Sequence, residues 1–272
     1  MITMFWYIII LLITIILFIF QKKEGMTNNY LDGIDIIYWI NLDRSKDRKQ
    51  NMEKMFSDEA FSGIPNKRIS AIDGTDDKNV YNLLETCNVT NKECACLLSH
   101  MEAIREFNKS NYEIALILED DSTLEFKKYW KKSVKEIINN APNDWEIIML
   151  NYIIIPDLKN HPFYDWSRTD SEYSDEHLAG TLSYLINKKG SNKLLNSCND
   201  SHSCYNNKYI LSDKYLHQSD GHIYFSLKTY VYKYPMFIYK ENNDSEISAS
   251  HDDLNEAARK IIITNYQKYP NI

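Results

Sequence analysis

Apolar and polar positions alternate along this chain in blocks of two kinds. Short, nearly unbroken apolar runs read as strands buried on both faces, and longer runs with apolar residues every three or four positions read as helices. Residues 34–42, IDIIYWINL, form the first strand block, and Ser45 follows as a cap for a helix to about residue 56. Residues 68–73 read as a second strand ending at Gly74-Thr75. Thr90 and Glu93 form a capping box that opens a helix to about residue 108, on which Cys96, His100, Ala103 and Phe107 share one stripe. That stripe turns His100 toward the sheet. Residues 114–118 are the most apolar strand block, and an amphipathic helix is predicted over 126–140, stopped by Ala141-Pro142. Strands follow at 145–151, 181–187 and 209–213, with a helix at 188–195 and a closing helix at 252–269. Residues 230–240 alternate but contain Pro235, which predicts an edge element. Residues 155–177 are a long polar loop, a length usually reserved for function. Strands alternating with helices predict one α/β domain with a mostly parallel sheet.

The chemistry gathers where the third strand ends. Residues 114–118 run into Glu119, Asp120 and Asp121, and ligand crevices of open α/β sheets lie at the carboxyl ends of strands. Three adjacent carboxylates repel one another unless a cation sits among them, and oxygen-only ligands suit Mg²⁺ or Mn²⁺. The alternative is a solvated acidic turn. Arg44, Lys46, Arg48 and Lys49 crowd the start of the first helix, where cations oppose the helix dipole, so the cluster points to an anionic ligand or to ordinary surface charge. A core histidine bonded to a carbonyl is the default for His100, and the acid-bearing strand is the very next element. Two acidic signatures fail on chemistry. A phosphatase of the aspartyl-phosphate type needs Asp where Glu119 and Ala71 stand.

Composition changes the picture at one end only. With 272 residues, 44% of them hydrophobic and 25% charged, the chain has ample core, and a net charge of −7 without a basic stripe argues against nucleic acid as a partner. Residues 5–20 are apolar apart from Thr14, and with residues 1–4 they approach the roughly 20 residues that span a bilayer. No basic n-region or cleavage site accompanies them, which predicts an uncleaved single-pass anchor with a short stalk, residues 1–29, ahead of a body at 30–272. Lysines follow the span and none precede it, a lean toward a cytosolic body that leaves the side of the membrane open. Among five cysteines, Cys198 and Cys204 flank a polar loop with His202 between them. They read as free thiols, as a pair, or as an incomplete metal set.

Taken together, these residues resemble glycosyltransferase family 25. The resemblance runs from about Ile36 to Ile247 in the family's order: YWINLDRSKDR from Tyr38, RISAIDG from Arg68, ECACLLSH from Glu93 with Ala95 in place of a glycine, and LILEDD from Leu116. The Asp144 strand, GTLSYLIN from Gly180, LSDKYL from Leu211, and Ser245-Glu246-Ile247 with Glu for Asp complete it. The resemblance implies a GT-A-type domain, a UDP-sugar donor, a divalent ion (Mn²⁺ or Mg²⁺), a glycan or glycoprotein acceptor, and inverting transfer of a hexose to a hydroxyl. It assigns the metal to Glu119 and Asp121, with His251 added by GT-A analogy. The donor falls to Asn41, Arg44, Arg48, Asp73, His100 and Asp120, and the base that deprotonates the acceptor to Asp213. Two other readings compete. One is a catalytically inactive relic that binds nucleotide or glycan at a membrane, and the other is a metal-dependent phosphatase or nucleotidyltransferase.

Overall fold

The computed structural model describes residues 29–153, 163–165, 179–199, 209, 211, 217–240 and 250–268. A seven-stranded sheet forms its centre, in the order β2-β1-β3-β7-β5-β8-β6. Its strands are β1 (Ile36–Asn41), β2 (Asn66–Ser70), β3 (Ile114–Glu119), β5 (Ile147–Met149), β6 (Phe163–Asp165), β7 (Ser183–Asn187) and β8 (Thr229–Tyr232). A small antiparallel pair, β4 (Ser122–Thr123) with β9 (Ile238–Tyr239), stands beside it. β1 runs parallel to both β2 and β3, and β5 parallel to β8, while β7 lies antiparallel between β3 and β5 and β6 antiparallel on β8. The sheet is therefore mostly parallel, as expected, with two reversed strands.

Both faces of the sheet are covered, which is why its strands read as continuous apolar runs rather than alternating ones. The two-residue period of β1 sends Ile36, Tyr38 and Ile40 into one core and Ile37 and Trp39 into the other. In β3, Ala115 and Ile117 join the first core and Leu116 and Leu118 the second. Each fully buried Leu or Ile here contributes roughly 1.5–3 kcal/mol of burial. Helices α1 (Lys46–Met55), α2 (Asp77–Tyr81), α3 (Asn91–Lys109), α4 (Val134–Asn140), α5 (Lys188–Asn199), α6 (Ser219–Ser226) and α7 (Ser250–Lys268) clothe the sheet. α3 is the main one against the site. Its predicted capping box is present in full, with Thr90 accepting from the Glu93 backbone and the Glu93 carboxylate accepting from the Thr90 N–H. Cys94, Leu97, Leu98, Met101, Ile104 and Phe107 bury the face toward the sheet.

Several expectations are corrected. The helix foreseen over 126–140 is two pieces, a 3-10 turn at Glu125–Tyr129 and then α4. Trp130 turns inward between them, its indole donating to the Met236 carbonyl at 2.8 Å, and Ser133 with Glu136 makes a fresh capping box that restarts the helix. The edge element foreseen at 230–240 is not one. β8 ends at Tyr232, before Pro235, and sits inside the sheet because β6, from the predicted loop, adds a further strand. α6 was not anticipated. Cys87 and Cys94 are joined in a disulfide, a pairing the sequence reading did not make. The Cys204 and Asp213 positions lie outside the described residues, as do the side chains of Cys198 and His251 in α5 and α7. The predicted membrane span at 5–20 lies outside them too. Among the described residues no helix is long and apolar enough to cross a membrane.

α6 also carries a pH liability. His222 is buried, and burial, reinforced by neighbouring His217, lowers its pKa to about 4. The folded state keeps the ring neutral where the unfolded chain would protonate it, so stability falls as pH drops through about 6.5 toward 4. Between pH 7 and pH 5 the loss attributable to this residue is on the order of 2 kcal/mol. Urea midpoints at the two pH values should differ accordingly, and His222→Gln should flatten the difference. An unchanged slope in that variant would assign the acid sensitivity elsewhere.

Candidate active site

The carboxyl ends of β1, β2 and β3 open into one cleft of about 600 Å³, open on its solvent side. β1 delivers Asn41 and the turn with Arg44, α1 delivers Arg48, β2 delivers Ala71 to Gly74, β3 delivers Glu119 and Asp120, and α3 supplies Lys92, Cys96, Ser99 and His100. Parallel pairing of β1 with both neighbours is what aligns these three ends. Gly74 allows the β2 exit to press against the start of α3, where a Cβ would come within 2.7 Å of the Asn91 carbonyl oxygen and the Lys92 Cα.

Asp120 is the structural hub of the acid triplet. Its Oδ2 accepts from Asn41 Nδ2 at 2.6 Å and its Oδ1 from Arg48 Nη1 at 2.9 Å. Asn41 is 1% exposed; the same amide also donates to the Ser45 carbonyl at 3.1 Å, and its Oδ1 accepts from Arg68 Nε at 2.8 Å. Asn41 therefore fixes the first turn to the acids, a positioning task rather than an exposed donor contact. Arg68 was missed by the sequence reading. It opens the RISAIDG stretch, but as the third residue of a strand nothing marks it as a partner of Asn41.

Asp73 and Arg44 meet at 3.1 Å on the opposite wall. Burial works to raise the Asp73 carboxyl, but the Thr75 N–H and hydroxyl and the Arg44 charge together hold it below the ordinary range. The pair is half-exposed and faces the cleft.

Glu119 sits at the meeting point of two hydrogen-bond chains. His100 Nε2 lies 3.3 Å from Glu119 Oε1, and His100 Nδ1 lies 3.1 Å from the buried Tyr184 hydroxyl. The Thr181 hydroxyl donates to the same Oε1 at 2.6 Å and lies 2.9 Å from Ser219 Oγ, which in turn is 3.6 Å from Cys96 Sγ. Burial would raise the Glu119 carboxyl, but His100, Thr181 and Arg48 outweigh it and hold it low, so it stays ionised. Asp121 goes the other way. Burial first, then the Glu119 charge, push it up to about 8, with Arg48 at 3.7 Å opposing. Burial likewise raises Asp120 despite Arg48 and Asn41. Thr181 reaches Glu119 because β7 is reversed: its amino-terminal end arrives at the same edge as the β3 carboxyl end, with Glu119 N–H donating to the Leu182 carbonyl. Gly180 just before it has φ +97°, and a Cβ there would crowd Ile153 and the Tyr239 hydroxyl.

The sequence-derived set thus divides. Asn41, Arg44, Arg48, Asp73, His100, Glu119 and Asp120 converge on the cleft. Asp121 adjoins it through Glu119 and Arg48. Asp213 and the His251 side chain lie outside the described residues, so their assignments stay expectations. Thr181, Ser219 and Tyr184 were missed. Each comes from a distant segment; Thr181 and Tyr184 fall in the GTLSYLIN stretch that carries the resemblance, but nothing in it marks them as neighbours of Glu119.

The molecule is thus an α/β protein whose parallel strands end in a cleft lined with acids and arginines. Residues 34–216 match the family model of glycosyltransferase family 25 (LPS biosynthesis protein), and the chain belongs to that family. It is 27% identical over 188 residues to human procollagen galactosyltransferase 2, covering 60% of this chain and 28% of that protein. It is also 27% identical over 177 residues to a glycosyltransferase 25 family member of Drosophila melanogaster, with the same shares. The chain thus spans little more than a quarter of the length of these curated relatives. A solved glycosyltransferase involved in glycosylation of the major capsid of PBCV-1 overlaps 83% of this chain and 98% of its own, at 10% identity and a TM-score of 0.35.

Proposed function

We propose that the chain is an inverting, metal-dependent glycosyltransferase with a GT-A-type body, moving a hexose (galactose or glucose) from a UDP-sugar to a hydroxyl of a glycan or protein. The observation that carries this reading is the cleft itself: in a family 25 chain, Arg44, Lys92 and Arg48 stand beside Glu119 and Asp120 at the ends of three parallel strands. Cationic side chains suit a diphosphate, and Asp73 suits ribose hydroxyls. The donor set also fits a hard divalent ion. Glu119 stays ionised, and burial beside that charge keeps Asp121 protonated until a cation compensates both. Glu119 and Asp121 would hold Mn²⁺ or Mg²⁺, which when bound neutralises charge on the departing nucleoside diphosphate. His251 is proposed as a third ligand.

The chain's own residues do the rest. Arg48 and Asn41 fix Asp120, and His100 and Thr181 fix Glu119, so the acids are held before the donor arrives. Asp213 is proposed as the base. It takes the proton of the acceptor hydroxyl as that oxygen bonds to the anomeric carbon from the face opposite the diphosphate, whose bond to the sugar breaks in the same displacement. The carbon inverts. The Cys87–Cys94 disulfide favours a body in an oxidising compartment, behind the anchor proposed for residues 1–29, against the lean of the flanking lysines.

The test incubates the purified full chain with Mn²⁺ and a panel of nucleotide sugars, with and without sugar and procollagen acceptors, and follows release of nucleoside diphosphate. Chelator-sensitive release from a UDP-hexose is the expected result. Absence of any Mn²⁺-dependent nucleotide binding would overturn the reading.

A further inference from the structure

Behind the acid triplet, the floor of the cleft holds a second constellation of a different chemical character. Cys96 Sγ, a His100 ring nitrogen and a Glu119 carboxylate oxygen all lie within 4.8 Å of one another. Cys96 and His100 are one turn apart on α3, so their side chains share a face, and Glu119 reaches them from the last position of β3. The three residues also line the cleft, which leaves the group open on one side.

The surroundings are those of a ligand set already oriented. Imidazoles that bind metal commonly engage an oxygen through the other ring nitrogen, which fixes tautomer and ring plane. Here Nδ1 of His100 faces the Tyr184 hydroxyl at 3.1 Å, and Nε2 points to Glu119 at 3.3 Å. Ligating carboxylates are likewise held by hydrogen bonds, and Thr181 holds Oε1 of Glu119 at 2.6 Å. Nε2 and Oε1 cannot face each other with two bare lone pairs, so either a proton or a cation lies between them. In the ion-free protein Nε2–H donates to Glu119 and the Tyr184 hydroxyl donates to Nδ1.

We propose that Cys96, His100 and Glu119 form a second cation site, selective for a borderline ion of the zinc type. One sulfur, one imidazole and one carboxylate suit such an ion and not Mg²⁺, whereas the outer oxygen-only pair Glu119 and Asp121 suits the harder cations. Three protein ligands with an open side is the arrangement that leaves a fourth position for water or substrate. On binding, the Cys96 thiol releases its proton from Sγ to solvent, while the imidazole stays neutral, giving up the proton at Nε2 and taking one at Nδ1, so one proton is released per ion. The two lone pairs go to the ion, the Nδ1–H then donates to the Tyr184 oxygen, and no electron changes hands. The site touches the transferase reading through Glu119, which it would lock in place from behind, and through His100, which orients that carboxylate.

Co²⁺ as probe gives a direct test. The full chain in detergent, stripped of metal with its disulfide intact, is titrated with Co²⁺ and followed in the near ultraviolet. Thiolate-to-cobalt charge-transfer absorption saturating at one equivalent and erased by Zn²⁺ is expected. Cys96→Ser should abolish it with the circular dichroism unchanged, and the double replacement Cys198→Ser, Cys204→Ser should leave it intact. Should Cys96→Ser misfold, His100→Gln keeps the thiol and is expected to weaken Co²⁺ binding at least about tenfold. A folded wild-type chain without the absorption, or absorption that survives Cys96→Ser, would overturn the inference. Absence of the absorption from the wild-type chain, with Mn²⁺-supported release of nucleoside diphosphate intact, overturns this site alone. Absorption present with no nucleotide binding overturns the transferase reading alone.

Discussion

Asp121→Asn is expected to cut glycosyl transfer by at least about 100-fold, about 3 kcal/mol at the transition state, while leaving the fold intact. The two halves of that expectation have one cause. Asp121 is pushed up to about 8 by burial and by the Glu119 charge, so near neutral pH the ion-free protein already holds it mostly protonated. Asparagine copies the shape and neutrality of that state, so nothing in the ion-free fold is disturbed. What it cannot copy is the second negative charge that the outer cation demands. Mn²⁺ affinity by calorimetry should therefore fall together with turnover. Without metal the variant should be more stable than wild type near pH 7, because folded wild type must hold a proton that its unfolded chain, near 3.8, gives up. That advantage should shrink as pH falls toward 4 and level off above pH 8. Near wild-type turnover and Mn²⁺ affinity in this variant would remove Asp121 from the metal site.

How much of this was legible in sequence depends on what each signal encodes. Burial on both faces was legible in Ile36–Ile40 and Ala115–Leu118 because an unbroken apolar run has few other uses. The start of α3 was legible because a capping box is a local device, with Thr90 and Glu93 satisfying each other within one turn. Strand direction was not legible. β7 has the same apolar profile antiparallel as it would have parallel, and only its pairing register with β3 reveals the reversal. That reversal brings Thr181 to Glu119, so the site's inner wall was hidden for the same reason. Pro235 was read as belonging to a strand when it lies beyond one, and β8 was misplaced at an edge in consequence. The acids and arginines were legible because charged residues at a strand end have few structural uses. Their division of labour was not, since whether Asn41 faces a ligand or Asp120 depends on a contact 79 positions away.

That contact sets the second large effect. Arg48→Ala is expected to destabilise the ion-free protein by about 3–5 kcal/mol near pH 7, the usual consequence of leaving a buried charge without its partner. Arg48 and Asp120 have side chains only 16% and 10% exposed, and Asn41 alone would remain to answer the carboxylate. The pH dependence separates charge from packing. Burial already raises Asp120 with Arg48 opposing it, so deleting Arg48 raises it further. The folded variant then binds a proton that the unfolded chain, near its ordinary 3.8, gives up. Its stability accordingly climbs as pH falls from about 7 toward 4, and the gap to wild type narrows over that window. Urea midpoints at the two ends would show it. Asp120→Asn placed on top of Arg48→Ala should recover most of the loss at pH 7, because the orphaned charge is gone. The coupling from that cycle should amount to several kcal/mol for a buried pair and well under 1 for a solvated one. A gap that holds constant with pH and is not rescued by Asp120→Asn would mean that Arg48 acts through its aliphatic stem. Asp120 would then be held by Asn41 and the β3 backbone.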